Sequence, residues 1–180
     1  ASGISHWMVA GVQAQDWSRQ RQLARCQPGC DWAVDVHPQY VDQYGETVWS
    51  SVLSDLAAAF DGKTPPKAVG EIGLHRMPSL ASSSQVPRFE QQLGVARAFG
   101  VPVILHVVGM HAEMLSILKR HGPLFAGGVV HGFTGSNEVA KEYIKLNLHL
   151  GISGRWVRGG AKKLQSAVQS TDISRLLLES

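Results

Sequence analysis

Seven short apolar runs, separated by stretches with helical spacing, restrict the folds open to this chain more than any other feature of its sequence. The runs are HWMVAGV (6–12), WAVDVH (32–37), AVGEIGL (68–74), VPVILHV (101–107), GGVVHGF (127–133), LHLGIS (148–153) and RLLLES (175–180). Between them, DWSRQRQLARC opens on Asp16 as a candidate cap, and Val48, Val52, Leu53, Leu56 and Phe60 recur at helical intervals. Phe89, Leu93, Ala96 and Phe99 do the same over 87–99, where Gly100 is a natural stop, and HAEMLSILKRHG also ends on glycine. Ser136 is placed to cap SNEVAKEYIKL, and AKKLQSAVQS completes the series. Strand, helix, strand, helix implies parallel strands joined by crossovers. Seven strands of near-continuous hydrophobicity fit an α/β fold of the (β/α)8 TIM-barrel type better than an open doubly wound sheet. Periodicity by itself does not separate the two. The doubly wound alternative carries a Gly-x-Gly-x-x-Gly turn, and neither that turn nor a phosphate loop occurs here.

With 180 residues, one domain spanning 1–180 is expected, and no linker, low-complexity tract or close repeat divides it. A hydrophobic share of 44% against 17% charged excludes a disordered chain. The net charge of +3 and pI near 9.0 suit anionic substrates but fall short of a dedicated nucleic-acid binder. No apolar run approaches the roughly 20 residues of a membrane span. The opening ASGISHWMVAG lacks a basic-then-apolar signal layout, so the cytoplasm is the expected compartment. Cys26 and Cys30, in CQPGC, read as two free thiols around a Pro-Gly turn, with a strained local disulfide as the alternative, and no further ligands lie near enough for a metal knuckle.

Glu71 is the anomaly. It sits between Gly70 and Gly73 in an otherwise apolar run, where a carboxylate needs a cation or donors to replace its lost water. His37, His106, His131 and Glu179 also fall late in their runs. In a parallel barrel all carboxyl ends of strands meet at one face, so these residues converge in space. A carboxylate with two or three imidazoles is a divalent-metal ligand set, and Glu71, His106 and His131 are the expected ligands. The alternative for each histidine alone is a hydrogen-bonded structural residue. His6, His111, His121 and His149, at chain edges or on helical faces, are read as non-functional, and His75 is left open. A second feature is SGRWVRGGAKK, where Arg155, Arg158, Lys162 and Lys163 surround Trp156. Phosphate contact with base stacking on Trp156 is one reading, and a solvated loop is the other.

VGEIGL, FEQQLGVARAFGVPVILH, VVHGFTGS, LGISG and RLLLE, in that order, closely resemble the TatD-type metal-dependent deoxyribonucleases, (β/α)-barrel hydrolases of the amidohydrolase type. The resemblance runs from about the second strand to the end of the chain. It implies that Glu71 bridges two divalent ions (Mg2+, Mn2+ or Zn2+), that His106 and His131 ligate one of them, and that His37 borders the substrate. The implied chemistry is hydrolysis of DNA phosphodiesters; Arg155 and Arg158 are expected as substrate contacts from the basic composition of their own segment. The departures are specific. The family's first-strand His-x-His pair is absent, and its Glu-Thr-Asp reads Glu179-Ser180 and stops. His75 stands where an Asp is usual, and Val107-Val108 where a polar-Arg pair is usual. These imply a barrel cut at both ends, holding one metal at reduced affinity and self-associating through open sheet edges. Two other readings remain open: an amidohydrolase acting on a small amide or ester, and a degenerate, non-catalytic barrel that binds a partner.

Overall fold

The structure is a computed structural model that describes residues 3–78, 82–154 and 162–179. Its strands are β1 (Trp7–Val9), β2 (Cys30–Val34), β3 (Ala68–His75), β4 (Val103–Val108), β5 (Gly128–His131), β6 (Leu148–Ser153) and β7 (Leu176–Glu179). Six α-helices are described: α1 (Trp17–Cys26), α2 (Glu46–Ala58), α3 (Ser82–Phe99), α4 (His111–His121), α5 (Asn137–Lys145) and α6 (Lys162–Gln169). The strands form one seven-stranded sheet in chain order. Every adjacent pair is parallel, as crossovers through helices require. The sheet curls as a partial TIM-type barrel, and each apolar run of the sequence supplies one strand.

Trp32, Trp49, Phe89, Leu93, Leu105, Met114, Leu118 and Tyr143 are fully buried between sheet and helices. Burying each large apolar side chain contributes about 1.5–3 kcal/mol, so this layer dominates the stabilisation. Two helix details differ from the sequence reading. On α2 the buried positions are Trp49, Val52 and Leu56, whereas Val48 is 55% exposed. The Trp49 indole satisfies its one donor on Gln91 Oε1 at 2.6 Å, and the Arg88 guanidinium lies over its ring. α3 begins at Ser82 and runs through Pro87 instead of starting there. Asp16 caps indirectly. Its carboxylate accepts from the Gln13 backbone N–H at 3.1 Å, closing a 3-10 turn that leads into α1. Ser136 does cap α5, with its hydroxyl accepting from Val139 N–H. Cys26 and Cys30 are free thiols, one exposed and one buried.

The longer α3 matters because it carries two buried glutamines that hold strand ends. Gln85 accepts from His75 N–H at 2.8 Å and donates to His75 C=O at 3.0 Å. Gln92 does the same to Val36, at 2.7 and 3.1 Å. Each primary amide imitates a neighbouring strand's backbone, satisfying groups that lie beyond the sheet ladder. The residues so clamped are His75 itself and the one preceding His37. Helix packing thus positions two imidazoles at the carboxyl end of the sheet.

Candidate metal-hydrolase site

Glu71 reaches this end because β3 is irregular where it sits. Register against β4 shifts between Val69 and Ile72, and such irregularities commonly redirect a side chain. The flanking glycines have a steric cause. A Cβ on Gly70 would strike Ile104 of β4, and one on Gly73 would collide with the His106 carbonyl oxygen. Gly73 also has φ of 151°, a conformation that side-chain-bearing residues rarely adopt. The glycines therefore let β3 and β4 approach closely, placing Glu71 beside His106.

The two oxygens of Glu71 face different imidazoles. Oε2 lies 3.4 Å from His106 Nδ1 and 3.9 Å from His37 Nε2, and Oε1 lies 3.6 Å from His131 Nε2. His37, Glu71 and His106 each present one ligand atom, all within 4.8 Å of one another. Ligand-to-metal distances near 2.0–2.2 Å put the donors of a shared ion at about this separation, so the group fits a divalent cation. The anticipated trio of Glu71, His106 and His131 is thus assembled around both faces of one carboxylate. His37, expected at the substrate border, sits in the tighter cluster.

The protonation states of His37 and Glu71 suit coordination. Burial, reinforced by the charge of His106, lowers the His37 pKa to about 4, leaving the ring neutral with a lone pair to offer. Burial pushes the Glu71 carboxyl up, but the His106 hydrogen bond and the charges of His131, His106 and His37 outweigh it. Its pKa ends below the ordinary value. His131 is raised, first by its hydrogen bond to Glu179. His75 is lowered by burial and by His106, whose ring it stacks against with centroids 5.1 Å apart. His75 Nδ1 and His106 Nε2 are 2.8 Å apart, a hydrogen bond on the side of the His106 ring away from Glu71.

Three residues in or beneath the site go beyond the sequence assignment. Asp35 is fully buried, and its pKa is raised well above the ordinary range by burial and then by the charge of Glu71. It carries the same signal as Glu71, an acid inside an apolar run. His75 is resolved as a partner of His106. Glu179, recognised only as a strand-end acid, bonds His131. Val107 is buried and Val108 is 42% exposed at the end of β4. Arg155, Trp156 and Arg158 lie outside the described residues, while Lys162 and Lys163 open α6 as exposed side chains.

Comparisons with known proteins point to one family. A family profile described as TatD related DNase matches residues 1–180. The 3'-5' ssDNA/RNA exonuclease TatD of Pantoea vagans is 30% identical over 183 residues, covering 99% of this chain and 68% of that protein. An uncharacterized metal-dependent hydrolase of Haemophilus influenzae is 31% identical, covering 96% and 66% respectively. The crystal structure of YjjV, a TatD homologue from Escherichia coli, superposes with a TM-score of 0.85 at 27% identity over 99% of this chain and 68% of that one. A TatD family hydrolase structure from Entamoeba histolytica shares the fold, with a TM-score of 0.81 at 19% identity, covering 98% and 60%. The chain spans about two thirds of the length of these relatives. Profile, relatives and barrel-end geometry converge, and the chain belongs to the TatD related DNase family.

Proposed function

We propose that the site is a divalent-metal phosphodiesterase centre acting on DNA or single-stranded nucleic acid. The observation that carries this reading is the division of Glu71, one oxygen toward His37 and His106 and the other toward His131. His37, Glu71 and His106 would hold one ion, and Glu71 with His131 would begin a second position. A bound divalent ion supplies Lewis-acid polarisation of a phosphoryl oxygen and acidifies water at neutral pH. Mixed imidazole and carboxylate donors favour Mn2+ or Zn2+ over Mg2+, whose preference is for oxygen.

The chain's own residues do the rest. His37 stays neutral and keeps its lone pair, and His75 and Glu179 hold the rings of His106 and His131 from behind. The neutral form favoured for Asp35 limits the negative charge beneath a site that must accept a phosphate. The basic segment with Arg155, Trp156 and Arg158 supplies backbone contact and stacking, so oligonucleotide binding should weaken as salt rises. Supporting this substrate class, the Pantoea vagans relative is named as an exonuclease of single-stranded DNA and RNA.

The test is hydrolysis of end-labelled oligonucleotides by the chelator-stripped chain, with Mn2+, Zn2+ or Mg2+ restored singly. Metal-dependent release of nucleotides that Glu71→Ala abolishes supports the reading, and activity indifferent to chelator and to Glu71→Ala overturns it. Exposed Val108, at the end of β4, favours one alternative, a small amide or ester substrate with a less phosphate-directed mouth. A panel of such compounds beside the oligonucleotides separates the two. Among the described residues no helix is long and apolar enough to cross a membrane. The outer strands expose Trp7, Met8, Leu177 and Leu178. Pairing between copies of the 180-residue chain through these strands is expected, and sedimentation of a monomer at all concentrations would remove it.

A further inference from the structure

His131 is held from behind by a carboxylate two strands away. Its Nδ1 lies 2.9 Å from Glu179 Oε1, and the other oxygen, Oε2, accepts from the Gly132 backbone N–H at 2.8 Å. One carboxylate therefore clamps two consecutive residues of the β5 end. Glu179 belongs to β7, so it must cross β6 to do this. In register Glu179 pairs with Ser153, and its side chain leans back over Gly151. A Cβ at Gly151 would occupy the space that this carboxylate fills. The Gly151 C=O meanwhile accepts from Phe133 N–H at 2.9 Å, tying β6 to the residues just beyond His131. Strand β6 is thus shaped to let an acid on one neighbour reach an imidazole on the other.

An ionised carboxylate only accepts hydrogen bonds, so the proton of this contact sits on His131 Nδ1. That leaves Nε2, 3.6 Å from Glu71 Oε1, as the nitrogen with the lone pair. We infer that Glu179, admitted by Gly151, is a positioning residue that fixes the His131 tautomer and ring orientation for metal binding. His106 and His131 are then held by different means, since His106 has a neutral imidazole behind it and His131 a carboxylate. Carboxylates behind ligating imidazoles raise ligand basicity as well as fixing orientation, and their loss commonly lowers metal affinity about 10–100-fold. The raised pKa of His131 accords with this pairing.

The inference rests on the metal-hydrolase reading for its affinity arm alone, so two measurements are needed. Long-range 1H–15N correlation spectra of the metal-free chain at alkaline pH report which ring nitrogen carries the proton. Calorimetric titration with Mn2+ reports affinity. The wild-type chain should show His131 protonated on Nδ1. Glu179→Ala should shift the ring toward the Nε2–H form and weaken Mn2+ binding about 10–100-fold. Glu179→Gln keeps an acceptor for the Gly132 N–H but turns an NH2 donor toward His131 Nδ1, so it should also favour the Nε2–H form in a side chain of nearly the same shape. Gly151→Ala, which touches neither His131 nor the ion, should displace the carboxylate and reproduce the Glu179→Ala spectrum. If Glu179→Ala does not fold, Glu179→Gln and Gly151→Ala decide between them. An Nε2–H tautomer in the wild type, or an unchanged tautomer in Gly151→Ala, overturns the inference. A wild-type chain that binds no Mn2+ overturns the metal-hydrolase reading instead, leaving the tautomer result to stand separately.

Discussion

The two ends of the sheet are made by the same strands and hold opposite kinds of residue. At the carboxyl end, His37, Glu71, His75, His106, His131 and Glu179 form one connected set of hydrogen bonds and charge contacts. At the amino end, β4 and β5 start against an apolar notch lined by Ala96, Val101, Val103, Leu124 and Phe125, with Arg97 at its side. The amino end is an apolar notch at the edge of the core, with Leu124 and Val103 buried and Phe125 exposed, and its contacts ask for apolar fit more than for particular atoms. The carboxyl end depends on particular atoms, because a carboxylate misdirected by one rotamer leaves a partly buried charge unpaired. Parallel strands produce this division, since each brings its carboxyl end to the same side.

Substitutions that affect one end alone sharpen this contrast, and those that affect both mark where it breaks. The largest effect is expected from Gly73→Ala, which puts a Cβ against the His106 carbonyl at a backbone angle unsuited to alanine. Stability should fall by about 3 kcal/mol and Mn2+ affinity should fall with it, as read by urea denaturation and calorimetry. Here the two ends are coupled, because the glycine serves strand packing and site geometry together.

Glu71→Ala should separate them. Mn2+ affinity should drop at least ~100-fold, equivalent to about 2.7 kcal/mol, while the denaturation midpoint changes little. The cost of burying the carboxylate offsets most of what its imidazole contacts contribute to the metal-free fold. A parallel loss of stability would show that the site also holds the fold together. Leu124→Ala is the converse at the amino end. Its cost should lie near the low end for such truncations, about 2 kcal/mol, because the side chain already borders a notch, and metal affinity should not change.

His75→Ala removes a neutral hydrogen-bond partner from His106 and leaves Glu71 in place. Affinity for Mn2+ should fall by no more than about 10-fold, less than for loss of the charged partner of His131. A larger fall would rank the two supports the other way. The smallest effect is expected from Glu90→Gln on the outer surface, below about 0.5 kcal/mol. The His121 hydrogen bond first, with Arg120 assisting, holds the Glu90 carboxyl below its ordinary 4.5. A depressed carboxylate stabilises above its unfolded pKa and loses that contribution as pH falls through the folded value. The variant and wild type should therefore differ fully above about pH 4.5 and converge as pH falls below it through the lower folded value, as denaturation midpoints across that range would show.

Every strand was legible in the sequence as an apolar run, the inner ones because strands covered on both faces need apolar residues at successive positions. Helix phase was less so. Val48 and Trp49 are adjacent, and the amphipathic indole, with its donor satisfied by Gln91, took the buried position. The spacing of Phe89, Leu93, Ala96 and Phe99 marked a helix over 87–99, yet α3 extends back to Ser82 through polar residues that carry no such spacing, bringing Gln85 onto His75. At the site, Glu71, His37, His106 and His131 declared themselves as ionisable groups in apolar runs. Asp35 bears the same mark in WAVDVH, and the reading did not single it out.

By itself the sequence determined that parallel strands would gather these groups at one end, since side-chain hydropathy and crossover geometry are local or topological facts. Only the tertiary structure decided which oxygen of Glu71 meets which imidazole, that His37 joins His106, and that Glu179 reaches His131 over Gly151. Those pairings turn on ångström-scale offsets between strands far apart in the chain, set by register and close backbone approach. Residue order alone carries no record of such offsets.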